Sequence, residues 1–361
     1  MQLTLLVPEL VWPEPNDRNT FDDLTCPSLD VLLARGACTM DPPKSLEAAL
    51  TDLFGQPAGA PYAAFRLLGE TRAPDATDAP AISAETCWLC SDPVHLRFHQ
   101  ESLILADSGG FDIAAGEAQT LIHELNRHFS AIGRFHAASA DRWYLRLADP
   151  AMVGQIETPP LSAVAGRSIE RLLLASAQSN GLRQLLTEAQ MLLHAHAVNQ
   201  QREGQGKLPI NSLWLWGAGS IPARIESDYD GVWSTNPLAL GLARAAGVPA
   251  HPLPTEAATL IGHAAPDTRH LVVLEDLLAA VQYENSEAYR AALCGPNGLE
   301  TRWFAPLRRA LMAGQITGLR LEAPTAYAAL RWECRRHDQW KLWRRPQPLG
   351  QLARRLAGAA A

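Results

Sequence analysis

Apolar residues recur along this chain in two periods, one suited to strands and one to helices, and the alternation between them sets out its organisation. A short apolar run over residues 3–7 predicts a first strand, and a loop rich in Pro, Asp and Asn follows over 8–23. Behind Thr25-Cys26-Pro27, Leu29, Leu32 and Leu33 stand at helical spacing with Gly36 as a stop, which predicts a helix from Ser28. A second helix is expected over 45–54. Residues 71–80 are polar and proline-punctuated and predict a linker. Strands are then expected over 86–90, 95–98, 103–106 and 143–147, with a helix over 115–129 between the last two.

Longer elements follow. A helix is expected over 168–177 and another over 182–202, where Leu185, Leu186, Ala189, Leu192, Leu193 and Ala197 form an apolar stripe. The run over 212–216 predicts a buried strand ending in Gly217-Ala218-Gly219. Further strands are expected over 271–274 and 318–321, and helices over 237–246, 286–293 and 301–313. Strands that alternate with helices imply a mostly parallel sheet covered on both faces. The predicted division is a core made of 1–70 and 151–361, with an inserted smaller α/β domain over 71–150.

Composition narrows the functional classes. The chain has 361 residues, 47% of them hydrophobic, and a formal net charge of −7. An acidic balance argues against a nucleic-acid-binding role, and no apolar run reaches the length of a membrane span. A cytoplasmic location is expected. The six cysteines are too scattered for a disulfide framework, so reduced thiols are expected, with Cys87 and Cys90 structural because an extended segment points them to opposite faces. The stretch over 331–345 interleaves Trp332, Trp340 and Trp343 with basic residues. Its tryptophans are expected to pack on the body, and it is also the place where a protein partner would bind.

Three segments resemble a known family. Thr25-Cys26-Pro27-Ser28-Leu29-Asp30-Val31-Leu32-Leu33-Ala34-Arg35-Gly36 is similar to the T-P-x-L-D-x-L-A-x-x-G helix of alkaline-phosphatase-superfamily proteins. Residues 107–126 resemble the D-x-x-A-G-x-I…E-A-x-x-L-x-x-x-L-N run of the archaeal-type cofactor-independent phosphoglycerate mutases. The most specific likeness joins Val198-Asn199-Gln200-Gln201-Arg202 to Gly206-Lys207-Leu208-Pro209-Ile210-Asn211 and the strand after it. The resemblance implies an α/β, doubly wound alkaline-phosphatase-like core with an inserted smaller α/β domain. It also implies phosphoryl transfer between glycerate hydroxyls through a phosphoserine and two divalent metals.

The residues that chemistry needs are mostly missing. A serine hydroxyl becomes a nucleophile when a metal lowers its pKa, and hard carboxylates and imidazoles must converge to hold that metal. Where the family has an Asp after the first strand, this chain has Glu9. Ser45 is the nucleophile candidate, with helix N-capping as its bland reading. After the strand over 271–274 stand Glu275 and Asp276, and no histidine occurs from there to His337; after 318–321 stands Glu322 in place of an Asp-His pair. Asn199, Arg202, Lys207, Asn211, Gly217 and Gly219 survive as a candidate phosphate-binding set at a strand end. The expected function is a non-catalytic or regulatory relative that binds a phosphorylated small molecule and needs no cofactor. The alternative is an active metal-dependent mutase or phosphatase with rearranged ligands, using Mn, Mg or Zn at Glu9, Glu275 and Asp276.

Overall fold

The computed structural model describes residues 1–57, 59–70, 82–99, 102–155, 158–170 and 180–360. The linker expected over 71–80 and most of the helix expected over 168–177 lie outside them. The chain divides into two compact units, one combining Met1–Phe54 with Glu226–Ala361 and the other running from Gly55 to Ile225. A core built from both chain ends with one continuous stretch between them is the organisation that the resemblance implied. Its boundaries fall elsewhere, however: 55–70 and 151–225 pack with the second unit.

The first unit holds a seven-stranded sheet of β1 (Gln2–Leu6), β2 (Ala37–Asp41), β8 (Gly231–Trp233), β9 (Ala250–His251), β10 (Arg269–Val273), β11 (Gly318–Pro324) and β12 (Ala329–Arg335). The order is β2-β12-β11-β1-β10-β8-β9. From β11 through β1, β10 and β8 to β9 every pair is parallel, whereas β12 and β2 run antiparallel at one edge. Strands buried on both faces read as apolar runs, and β1 does so. Leu3 and Leu5 pack with Leu29, Trp303 and Leu307 in one cluster. Thr4 and Leu6, which alternate with them, are buried too.

Local chemistry explains the helix Pro27–Arg35. Proline in its first turn is tolerated because that N–H has no intrahelical partner. Cys26 supplies no side-chain cap. Glu300 does so from far along the chain, its two carboxylate oxygens accepting from the N–H groups of Ser28 (2.8 Å) and Leu29 (3.1 Å). Beside it Cys26 is bonded to Cys294, so two of the six cysteines are not the reduced thiols expected. They stand 268 residues apart, a distance over which spacing carries no information about pairing.

Burial and the nearby Glu300 raise the Asp30 carboxyl from 3.8 to about 6. A carboxyl that holds its proton more tightly when folded contributes most below the unfolded pKa, and that contribution is lost as pH rises through 6. Asp30→Asn is therefore expected to stabilise the protein at pH 7.5 by about 1–2 kcal/mol, allowing for solvent screening of a half-buried group. At pH 4 the effect should vanish. Urea melts at the two pH values check this, and equal effects at both would contradict it.

In the second unit β3 (Trp88–His99), β4 (Ser102–Ala106), β5 (Gly133–Ala137), β6 (Trp143–Leu147) and β7 (Ser212–Gly219) form a wholly antiparallel sheet. The helices Ala115–His128 and Asn180–Ala195 cover it through Leu121, Leu125, Leu185 and Leu193. The two strands expected over 86–98 are one long strand. The helix expected over 182–202 is interrupted at His196, whose extended backbone and Nδ1 cap the helix Ala197–Gly204. Cys87 and Cys90 are buried and take part in no disulfide.

Candidate functional site

Ligands of open parallel sheets gather beyond the carboxyl ends of the strands, so that edge of the first unit is the natural place to look. The chain leaves β1 through Val7 and Glu9, whose N–H groups donate to Glu322 O and Pro324 O, both at 2.8 Å. Glu9 adopts φ +56°, a left-handed turn uncommon for a residue with a side chain. Leaving β10, Leu274 donates to Leu6 O and places Glu275 and Asp276 at the same edge. After β8, Asn236 caps the helix Pro237–Ala245, accepting from Leu238 N and Ala239 N.

The carboxylates at this edge have protein partners. Asn236 Nδ2 donates to Glu275 Oε1 at 2.8 Å. Asp276 is paired with Arg302. Arg331 on β12 donates through Nε to Glu322 Oε1 at 2.6 Å. Burial raises the Glu322 carboxyl above its usual range, and the bond from Arg331 works against that. Among the described residues, no group of three or more His, Cys, Asp or Glu is placed to hold a metal ion. The donor set thus does not fit a two-metal centre, which needs convergent carboxylates and imidazoles. Glu9, Glu275 and Asp276 all reach the expected edge without forming that centre.

Ser45 takes the capping role. Its Oγ accepts from Ala48 N at 3.1 Å as the N-cap of the helix Leu46–Leu53. Neighbouring Lys44 is paired with Asp52 at 2.6 Å.

The set chosen around residues 199–219 belongs to the second unit, because β7 pairs antiparallel with β3 instead of joining the parallel sheet. Arg202 is only 1% exposed. Its Nε donates to Leu208 O, its Nη2 to Asp112 O and its Nη1 to Glu117 Oε2 at 2.7 Å. Asn199 donates to Leu193 O and Ile210 O and accepts from Ile210 N. Asn211 bonds both backbone groups of Leu96, extending the ladder beside β3. Lys207 is exposed at the turn. Together these residues clasp the connection from the helix Ala197–Gly204 to β7. With their donors already engaged, Arg202, Asn199 and Asn211 give no support to anion binding at this place.

Glycine is needed at Gly217 and Gly219 for a similar internal reason. Both have positive φ (65° and 147°), and a Cβ on them would meet Tyr62 Cβ at 2.8 Å and Pro61 Cβ at 2.7 Å. The close approach they permit is to the start of the helix Tyr62–Glu70.

A polar centre with no marker in the sequence lies deeper in that unit. Arg66 Nη1 donates to both oxygens of the fully buried Asp92, at 3.0 and 2.8 Å. Asp92 also accepts from Trp216 Nε1 and Trp143 N. The guanidinium carbon lies 5.4 Å from the ring centres of Tyr144 and Trp216. Burial opposes the charge on Arg66, and Asp92 with Tyr144 and Cys90 more than offsets it, so the guanidinium stays ionised. Glu70 completes the group, accepting from Tyr144 Oη and Arg142.

Comparison with known proteins agrees with the resemblance seen in the sequence. The chain is 30% identical over 209 residues to a 2,3-bisphosphoglycerate-independent phosphoglycerate mutase 2 from Methanothermobacter thermautotrophicus, covering 55% of this chain and 48% of that protein. A 2,3-bisphosphoglycerate-independent phosphoglycerate mutase from Methanosarcina barkeri is 26% identical over 201 residues, with 54% and 48% covered. Over that part of its length this chain resembles archaeal 2,3-bisphosphoglycerate-independent phosphoglycerate mutases. It spans about half the length of the curated relatives it matches. No family model matches. A solved Pyrococcus horikoshii protein shares the fold across 92% of this chain and 87% of that one, with a TM-score of 0.53 at 14% identity. The mixed α/β architecture with two sheets is thus shared well beyond recognisable sequence.

Proposed function

We propose that this phosphoglycerate-mutase relative is non-catalytic: it keeps the fold and binds a phosphorylated small molecule in a regulatory role without moving the phosphoryl group. The observation that carries this reading is the state of the carboxyl edge. Glu275, Asp276 and Glu322 are tied to Asn236, Arg302 and Arg331, and Ser45 caps a helix. A phosphoryl-transfer centre needs carboxylates left open for cations and a serine left open for attack. These interactions stabilise the edge and leave its chemistry quiet.

The test supplies the full chain with 3-phosphoglycerate or 2-phosphoglycerate and Mn, Mg, Co or Zn in turn. Interconversion should not rise above background, and Ser45→Ala should change nothing. Metal-dependent turnover abolished by Ser45→Ala would overturn the proposal and restore a mutase with rearranged ligands. Calorimetry with 3-phosphoglycerate tests the binding half, for which saturable heat is expected; an absence of heat would remove the phosphorylated ligand from the reading.

A further inference from the structure

The edge of the seven-stranded sheet carries a feature that shares no residue with the carboxyl edge. Strand β2, the end of the helix Pro27–Arg35 and the segment entering the helix Leu349–Ala360 border an open cavity of about 470 Å³. Its lining combines apolar Leu33, Trp332 and Leu352 with the basic Arg344, Arg345 and Arg355. Cavities of roughly 300–1,000 Å³ with an apolar wall and a few convergent polar groups are the usual dimensions of small-molecule sites.

Three guanidiniums at one cavity repel each other unless an anion stands among them. None of the three forms an ion pair with a carboxylate among the described residues. Arg344 donates through Nη1 to Gly36 O at 3.1 Å, which fixes its position and leaves its other N–H groups available. On a chain of net charge −7 this local excess of positive charge selects for an anion. A tetrahedral phosphate dianion suits three forked donors better than a single carboxylate does, because each guanidinium can pair with two of its oxygens. Trp343, 76% exposed, immediately precedes Arg344 in the chain and lies outside the lining of the cavity. Its neighbours Trp340 and Leu342 are also exposed, although packing against the body was expected for both tryptophans.

We propose that this cavity binds a phosphomonoester with a planar body, of the nucleoside 5′-monophosphate class. The phosphate sits among Arg344, Arg345 and Arg355, and the planar body rests against Leu33, Trp332 and Leu352. An apolar lining beside a cluster of cations suits any flat ring system that carries a phosphate, which sets the class and not the individual base.

Calorimetry on the full chain would compare adenosine 5′-monophosphate, adenosine and inorganic phosphate. The monophosphate should bind at least about tenfold more tightly than either part alone, since both halves of the site must contribute. Arg345→Gln combined with Arg355→Gln removes two charge-assisted partners and should weaken binding by about tenfold or more, without lowering the unliganded melting temperature. The monophosphate should also protect Arg345 and Arg355 of the unaltered chain from phenylglyoxal, a readout that needs no variant. Binding no tighter than that of inorganic phosphate, undiminished binding in the double variant, or arginines left unprotected would each overturn the proposal. Because the probe and the residues differ from those of the 3-phosphoglycerate test, the two proposals fail separately.

Discussion

Removal of residues 331–361 is expected to abolish cooperative folding of the first unit. The segment reads as a basic, aromatic tail, yet it contains most of β12, which lies between β11 and β2 and pairs with both. Trp332 and Cys334 face the core, and Leu349, Leu352 and Leu356 of the last helix join the same cluster. Burying Trp332 and those three leucines contributes about 1.5–3 kcal/mol each, a sum comparable with the roughly 5–15 kcal/mol by which a whole domain is stable. The truncated chain would also leave β2 without a partner. Near-ultraviolet circular dichroism during heating checks this, and a truncated protein melting within a few degrees of the full chain would refute it.

A second large effect is expected at Arg66. Replacing it with Met leaves Asp92 buried and without its counter-charge, a loss that commonly costs about 3–5 kcal/mol. Asp92→Asn should cost less, since its oxygen can still accept from Trp216 Nε1 or Trp143 N. Combining the two changes removes the buried charge altogether. The double variant is therefore expected to be more stable than Arg66→Met alone. Urea unfolding of the three variants closes the cycle. An Arg66→Met protein within 1 kcal/mol of the parent by that measure would mean that the pair contributes little.

These two cases show what the sequence makes legible and what it hides. Residues 329–335 alternate Leu330, Trp332 and Cys334 with Arg331, Glu333 and Arg335, the period of a half-buried strand. Of the three tryptophans expected to pack on the body, Trp332 does so as part of this strand, and Trp340 and Trp343 stay exposed. Strong periodic elements were readable almost to the residue, as with Trp143–Leu147 and Pro237–Ala245. The run over 212–216 was correctly a buried strand, but periodicity cannot say which partner a strand takes, and β7 pairs with β3. That one pairing moved Arg202, Asn199 and Asn211 from an expected ligand site to an internal clasp. Glu9, Glu275 and Asp276 follow the ends of β1 and β10, and strand ends are local features of a sequence. The Arg66–Asp92 and Glu300–helix contacts span 26 and over 270 residues and leave no local pattern.

The discontinuity of the first unit has a consequence for the order of events during synthesis. Residues 55–225 form a unit whose partners have all left the ribosome once Ile225 has emerged, so it can fold while translation continues. Strand β1 is made first, yet its neighbours β10 and β11 begin at Arg269 and Gly318. The opening helix likewise waits for Glu300 to cap it and Cys294 to reach Cys26. The apolar segment over 3–7 must therefore wait without its sheet partners until residue 269 has emerged, and a nascent chain stalled before that point would expose Leu3, Leu5 and Val7 to any holding chaperone at the tunnel exit.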